Sequence, residues 1–161
     1  CFGIVGVTRH PDHRDRVAVR LTAEWHSKAG EIIHFVGTED DPGPETFLRS
    51  TLRQYNVICV TYDQHQLVSL AQRLEMEEGV WFDSFGQVKN RLIADKALLD
   101  RIIDRTIAHD GDEKLRAHID AADRKVDEAG SRFRIVKGGR GHVDLAVCLS
   151  MASWQCLELN I

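Results

Sequence analysis

The stretch Val57-Ile58-Cys59-Val60-Thr61-Tyr62-Asp63-Gln64-His65-Gln66-Leu67 decides how this chain is read. An apolar run suited to a buried strand passes directly into an acid, and a helical pattern begins at once. Leu67, Leu70, Ala71 and Leu74 recur at three- and four-residue steps, which places them on one helix face. Asp63 therefore stands where a strand stops and a helix starts. In open α/β sheets that is the crevice in which ligands bind; the alternative is that Asp63 simply caps the helix.

Working outward, Phe2 to Val7 and Val17 to Trp25 read as strands separated by the polar turn Thr8 to Asp15. Ile32 to Val36 reads as a third, and short connections make the three an antiparallel meander. Pro42, Gly43 and Pro44 break the chain before a helical pattern over Glu45 to Tyr55. Beyond the Leu67 helix come a short strand at Val80 to Phe82 and a helix from about Asn90 to Arg105, with Leu92, Leu99, Ile102 and Ile103 inward. Asp112 is placed to cap a helix carrying Leu115, Ile119, Ala122 and Val126. A strand at Phe133 to Lys137, a Gly-rich turn and a last helix from Asp144 complete the pattern; Leu145, Cys148, Leu149, Ala152 and Cys156 form that helix's inward stripe. This order of elements predicts an α/β mixed sheet, a three-strand antiparallel meander followed by parallel strands, flanked by helices, and resembles the order used by ribonuclease H-like folds.

With 161 residues the chain fits one domain. It opens on a strand-like segment, as a domain excised from a longer chain would. No apolar run approaches the roughly 20 residues of a membrane span. The four cysteines lie far apart without a CxxC pair, so they read as reduced, mostly buried thiols rather than a structural zinc site. A net charge of −4 argues against coating nucleic acid by bulk attraction but allows a local basic patch. No phosphate-cradling G-x-x-x-x-G-K-[ST] loop is present, which excludes ATP hydrolysis of the usual kind.

Asp144 is the second acid of interest. At a helix start the exposed N–H groups favour an ionised carboxylate. With Asp63 it forms the beginning of a site for Mg²⁺ or Mn²⁺, hard ions that take oxygen ligands. Phosphodiester hydrolysis of this type uses two ions, and two acids are few for that task. Just upstream, Arg132, Arg134, Lys137 and Arg140 lie in a segment without acids, and the alternation around Phe133 and Ile135 suggests a hairpin with one apolar and one cationic face. Lys137 to Gly141 reads as its mobile tip. Cationic charge beside acids is what draws phosphates in. His10, Asp12, His13 and Asp15 offer a transition-metal alternative, weighed against a plain polar turn. His118 reads as a surface or packing histidine, and phosphotransfer on fold logic alone lacks its phosphate loop.

Taken together, TYDQHQL, GVWFDSFGQ, RLIADKALLDRIIDRTIAHDGDEKLRAHI, FRIVK and HVDLAVCLSMA, in that order, resemble the C-terminal nuclease domain of the large terminase subunit of tailed bacteriophages and prophages. The resemblance covers nearly the whole chain and is strongest from about residue 57 to 153. It implies a single nuclease domain over 1–161, the ATPase half lying outside it, that cuts concatemeric double-stranded DNA with two Mg²⁺ or Mn²⁺ ions. It further implies the ATPase motor domain, the small terminase subunit and the portal as partners, no membrane, and action in the cytoplasm of the bacterial host. Position by position, Asp63 matches the acid after the central strand and Asp144 the acid opening the last helix. Arg132, Arg134, Lys137 and Arg140 match a DNA-facing hairpin. The first-strand acid is replaced, on this register, by Thr8, with Asp15 and Asp12 as the assisting ligands. That departure opens an alternative: a weakened DNA-binding or motor-docking module.

Overall fold

The computed structural model describes residues 1–27, 31–127, 132–139 and 141–161. The chain divides into two units, one formed by Cys1, Gly3–Glu24 and Gln87–Ile161, the other by Phe2 and Trp25–Gly86.

In the first unit, β1 (Phe2–Arg9) pairs with β2 (Val17–Trp25), and β2 pairs with β5 (Ile107–Ala108). Gly6 faces Leu21 and Thr8 faces Arg20, the falling register of an antiparallel pair. β5 runs parallel to β2, with Val17 opposite Ile107. Helices α3 (Lys89–Ile103), α4 (Glu113–Asp120) and α5 (Asp144–Glu158) and the hairpin β6 (Ala122–Val126) and β7 (Phe133–Lys137) complete it. Its core is Leu98, Leu115, Leu145 and Leu149, with Val5, Val7, Val19, Ile107 and Ile135 packed on them.

The second unit holds α1 (Pro44–Gln54), β3 (Cys59–Asp63), α2 (Gln64–Glu78) and β4 (Trp81–Phe85). β3 and β4 are parallel, joined through α2 as a β-α-β crossover. Leu52, Ala71, Leu74 and Phe82 form its core. Arg49 ties the two helices electrostatically, contacting Glu45 of its own helix and Glu77 and Glu78 of α2. Those carboxylates hold the guanidinium well above its ordinary pKa.

Three elements differ from the sequence reading, each for a local reason. The Ile32–Val36 run forms no strand: its carbonyls serve α1 instead. Phe35 O accepts from Glu45 N–H (2.8 Å), and Val36 O accepts from Gly43 N–H (3.0 Å) and the Thr46 hydroxyl (2.6 Å). The third strand beside β2 is thus the two-residue β5, parallel rather than antiparallel. Second, the helix from Leu115 stops at Asp120, because Ala122 and Val126 fit a two-residue period as well as a helical one. They pair across the hairpin with Lys137 and Phe133.

The third difference concerns α3. Its inward stripe is Arg91, Ala94, Asp95 and Leu98, whereas Ile103 is 67 % exposed. Asp95 is 0 % exposed and accepts from Arg91 Nε (2.8 and 2.9 Å), Ser150 Oγ of α5 (2.5 Å) and Ile135 N–H of β7 (2.8 Å). A buried carboxylate is tolerated only when it is paired and its lone pairs are filled, and both conditions hold. α4 is capped as expected: Asp112 accepts from Leu115 N–H (2.7 Å) and from the Thr22 hydroxyl on β2 (2.7 Å).

Two stability measurements follow. Asp95→Ala strands the Arg91 guanidinium and is expected to cost about 3–5 kcal/mol in urea unfolding. The Leu115 and Thr22 hydrogen bonds lower the Asp112 pKa in the folded state. Their stabilisation is therefore complete above the unfolded aspartate value near ~3.9 and is lost as pH falls through the lower folded value. Asp112→Ala should cost about 1 kcal/mol at neutral pH and flatten that acid limb.

Candidate active site

Asp144 is the first residue of α5, and its carboxylate is partly exposed. The N-cap, Val143, has no side-chain acceptor for the exposed N–H groups of the first turn. His142 Nδ1 lies 3.9 Å from Asp144 Oδ2, and the His142 ring is 6.1 Å from that of His118. One turn into α5, the Cys148 thiol donates to Gly3 O (3.2 Å). Burial, with the charge of Asp144 nearby, pushes this thiol up to about 12, so it is inert at neutral pH.

The orientation of β1 against α5 sorts the other candidates. A Cβ on Gly3 would meet the Asp144 carbonyl carbon at 3.4 Å, so the start of β1 lies beside the start of α5. At the opposite end, Arg9 Nη2 donates to Leu157 O (3.4 Å) and to Asn160 Oδ1 (3.1 Å), closing the C-terminus of α5. β1 and α5 therefore run in the same direction. Thr8 stands five residues along β1 from Gly3, roughly 17 Å away at strand rise. Its hydroxyl accepts from Arg20 Nε (2.9 Å). Asp12 and Asp15 are exposed in the turn beyond, where the Asp15 carbonyl accepts from Arg101 (3.1 Å). The structure does not bring Thr8, Asp12 or Asp15 to Asp144. Gly6-Val7-Thr8, where the resemblance expects an acid and Thr8 stands instead, leads away from the start of α5.

His10 Nδ1 accepts from Asp12 N–H (3.2 Å), and the His10 and His13 rings are 5.0 Å apart. Among the described residues, no three-ligand metal cluster forms in that turn.

Asp63 is the exposed last residue of β3, opposite Phe85 of β4, and α2 begins at the next residue. It sits at the carboxyl end of a parallel strand pair, as its sequence context requires. Asp63 belongs to the second unit and Asp144 to the first.

The basic segment is a hairpin, but its partner strand is β6, upstream, rather than the glycine-rich run. Period-two alternation puts exposed Arg132 and Arg134 on one face, joined by Lys125, which pairs directly across from Arg134. Val126–Phe133 and Arg124–Ile135 share the other face, with Lys137 opposite Ala122 at its end. Arg140 lies outside the described residues. Lys125 and Arg124 lie where the helical spacing of Ala122 and Val126 masks a strand, so the sequence pattern does not place them on the hairpin. Like charges directly opposed across strands repel, so the Lys125–Arg134 pair is suited to a polyanion. After β7, Gly141 at φ 126° takes a backbone conformation that only glycine adopts readily, and α5 follows.

His118, a packing or surface residue by its sequence context, is buried in the unit that carries Asp144. Its Nδ1 accepts from Leu145 N–H (3.0 Å), and its Nε2 lies 2.8 Å from Glu24 Oε2. Lys114 Nζ approaches the other Glu24 oxygen at 3.8 Å. Nothing local in the sequence signals this group, because β2, α4 and α5 each supply one member.

No family model and no curated protein matches the sequence. Solved structures do: the large terminase nuclease from thermophilic phage G20c matches at 16 % identity and TM-score 0.56, over 96 % of this chain and 82 % of that one. Structures of that nuclease with bound magnesium and with bound cobalt match at 15 % and 16 % identity, both with TM-score 0.57, over 96 % of this chain and 81 % of theirs. No helix among the described residues is long and apolar enough to cross a membrane. The mixed α/β architecture, with three sheets and five helices among the described residues, shares its fold with the large terminase nuclease.

Proposed function

We propose that this chain is a metal-dependent endonuclease domain of a phage or prophage terminase large subunit, acting on double-stranded DNA during packaging. The observation that carries the reading is Asp144: a partly exposed carboxylate opening α5, in a fold shared with a terminase nuclease and preceded in the chain by a hairpin with a cationic face. Asp63, the acid closing β3 of the second unit, is the other proposed acid. The ATPase motor domain, the small terminase subunit and the portal are the partners this reading implies, with the host cytoplasm as the setting.

The donor set fits the hard divalent ions. Both acids offer carboxylate oxygen at the exposed end of a regular element, with no thiolate in the set, which suits Mg²⁺ or Mn²⁺. Such ions supply Lewis acidity toward phosphate and water, two being the usual complement for this hydrolysis. The chain's own residues then divide the remaining work. Asp144 and Asp63 would each offer a carboxylate to such an ion. Arg132, Arg134 and Lys125 engage backbone phosphates, and Lys137 and Arg140 extend the basic segment. Those contacts set position rather than sequence, so cutting is expected to show little base preference.

Three outcomes test this. Asp63→Ala and Asp144→Ala should each lower Mn²⁺-dependent plasmid nicking by roughly 100-fold or more; parent-like cutting by either variant overturns the assignment. Arg134→Ala should weaken DNA binding evenly across sequences and reduce the slope of log affinity against log salt by about 1. The weakened-module alternative draws on Thr8, which stands apart from Asp144 beside Arg20. Thr8→Asp should accordingly leave nicking and Mn²⁺ affinity unchanged, and a gain in either would revive that alternative.

A further inference from the structure

Helix α5 delivers Asp144 through its first residue, yet its own N-cap is a valine. The first N–H groups of a helix need acceptors from elsewhere when the cap residue supplies none. One acceptor is present: the Nδ1 of His118, on α4, receives Leu145 N–H at 3.0 Å. An imidazole nitrogen that accepts an amide proton carries none of its own, so in the neutral ring the proton resides on Nε2. That nitrogen faces Glu24 Oε2 at 2.8 Å, and the carboxylate accepts from it. Glu24 thus fixes the tautomer, and the tautomer makes the cap. Both side chains are largely shielded from water, His118 at 6 % and Glu24 at 11 % exposure.

The same chemistry disposes of a competing role. Cys1, Glu24 and His118 bring ligand atoms within 4.8 Å of one another, a spacing compatible with a transition metal. A metal on Nε2 while Nδ1 still accepts from Leu145 would demand an imidazolate, and turning Nδ1 into a donor would set it against the Leu145 N–H. Metal ligation and capping are therefore mutually exclusive, and capping is what the hydrogen bonds display.

We infer that His118, locked by Glu24, is a positioning residue that caps α5 in place of Val143 and thereby fixes the backbone presenting Asp144. This rests on the proposed nuclease reading for its functional consequence, but the cap itself does not.

The experiment has two arms. Nitrogen-15 NMR of the purified protein should give His118 Nδ1 the shift of an unprotonated acceptor and Nε2 that of a protonated nitrogen, with a slowly exchanging Leu145 amide. A protonated Nδ1, or a Leu145 amide exchanging as fast as an exposed one, overturns the inference whatever the protein's activity. In the second arm, Mn²⁺ affinity and plasmid nicking are compared for His118→Leu, His118→Gln and Glu24→Leu. Loss of the acceptor in His118→Leu should weaken Mn²⁺ binding and nicking about tenfold, with melting still cooperative. His118→Gln, which keeps one acceptor and one donor, should recover most of both. Should His118→Leu fail to fold, Glu24→Leu serves instead: it frees the tautomer and should loosen Leu145 protection and Mn²⁺ binding together. Parent-like Mn²⁺ affinity in the folded variant, while Asp144→Ala abolishes binding, overturns the positioning role alone. Parent-like behaviour of Asp144→Ala itself would instead remove the nuclease reading and leave the cap standing.

Discussion

The carboxylate of Asp95 is the constraint on which the first unit depends. It lies entirely out of water and collects hydrogen bonds from α3, α5 and β7. A charge in that position is costly unless each partner arrives together, since any one missing leaves lone pairs or a guanidinium unsatisfied. Apolar packing of Leu98, Leu115, Leu145 and Leu149 would tolerate small slips between helices. The Asp95 node does not. It sets the rotation of α5 about its axis through Ser150 and pins the basic hairpin by the Ile135 amide. Both proposed working parts of this unit, the acid at the head of α5 and the cationic strand pair, are thus referred to one buried atom group.

Much of the architecture is legible in the sequence because its elements obey simple periods. α2 buries Ala71 and Leu74, as the three- and four-residue spacing requires. Asp63 ends a strand and Asp144 begins a helix, both visible from an apolar pattern meeting a polar residue. Asp112 caps α4 because its carboxylate falls three residues before an amide that needs an acceptor.

What escaped detection involves groups whose meaning is set by distant partners. Arg91 and Asp95 carry the wrong polarity for an inward stripe, so apolar periodicity turned α3 toward Ile102 and Ile103. Ile32 to Val36 has strand-like side chains, but its carbonyls are committed to the head of α1. His118 is one polar residue on a helix until Glu24 and Leu145, from two other elements, approach its two nitrogens. The distance of Thr8 from Asp144 is likewise invisible in the sequence, because only the relative run of β1 and α5 shows that Thr8 heads away from it.

The opposition of Lys125 and Arg134 has a consequence for the ionic environment. Two cations facing one another across a ladder push the strands apart, and mobile anions quieten that push. The same ions compete with a phosphate backbone for the site. Rising ionic strength therefore steadies the hairpin while loosening its grip, so rigidity and adhesion at this surface trade against each other and cannot both be greatest in one buffer.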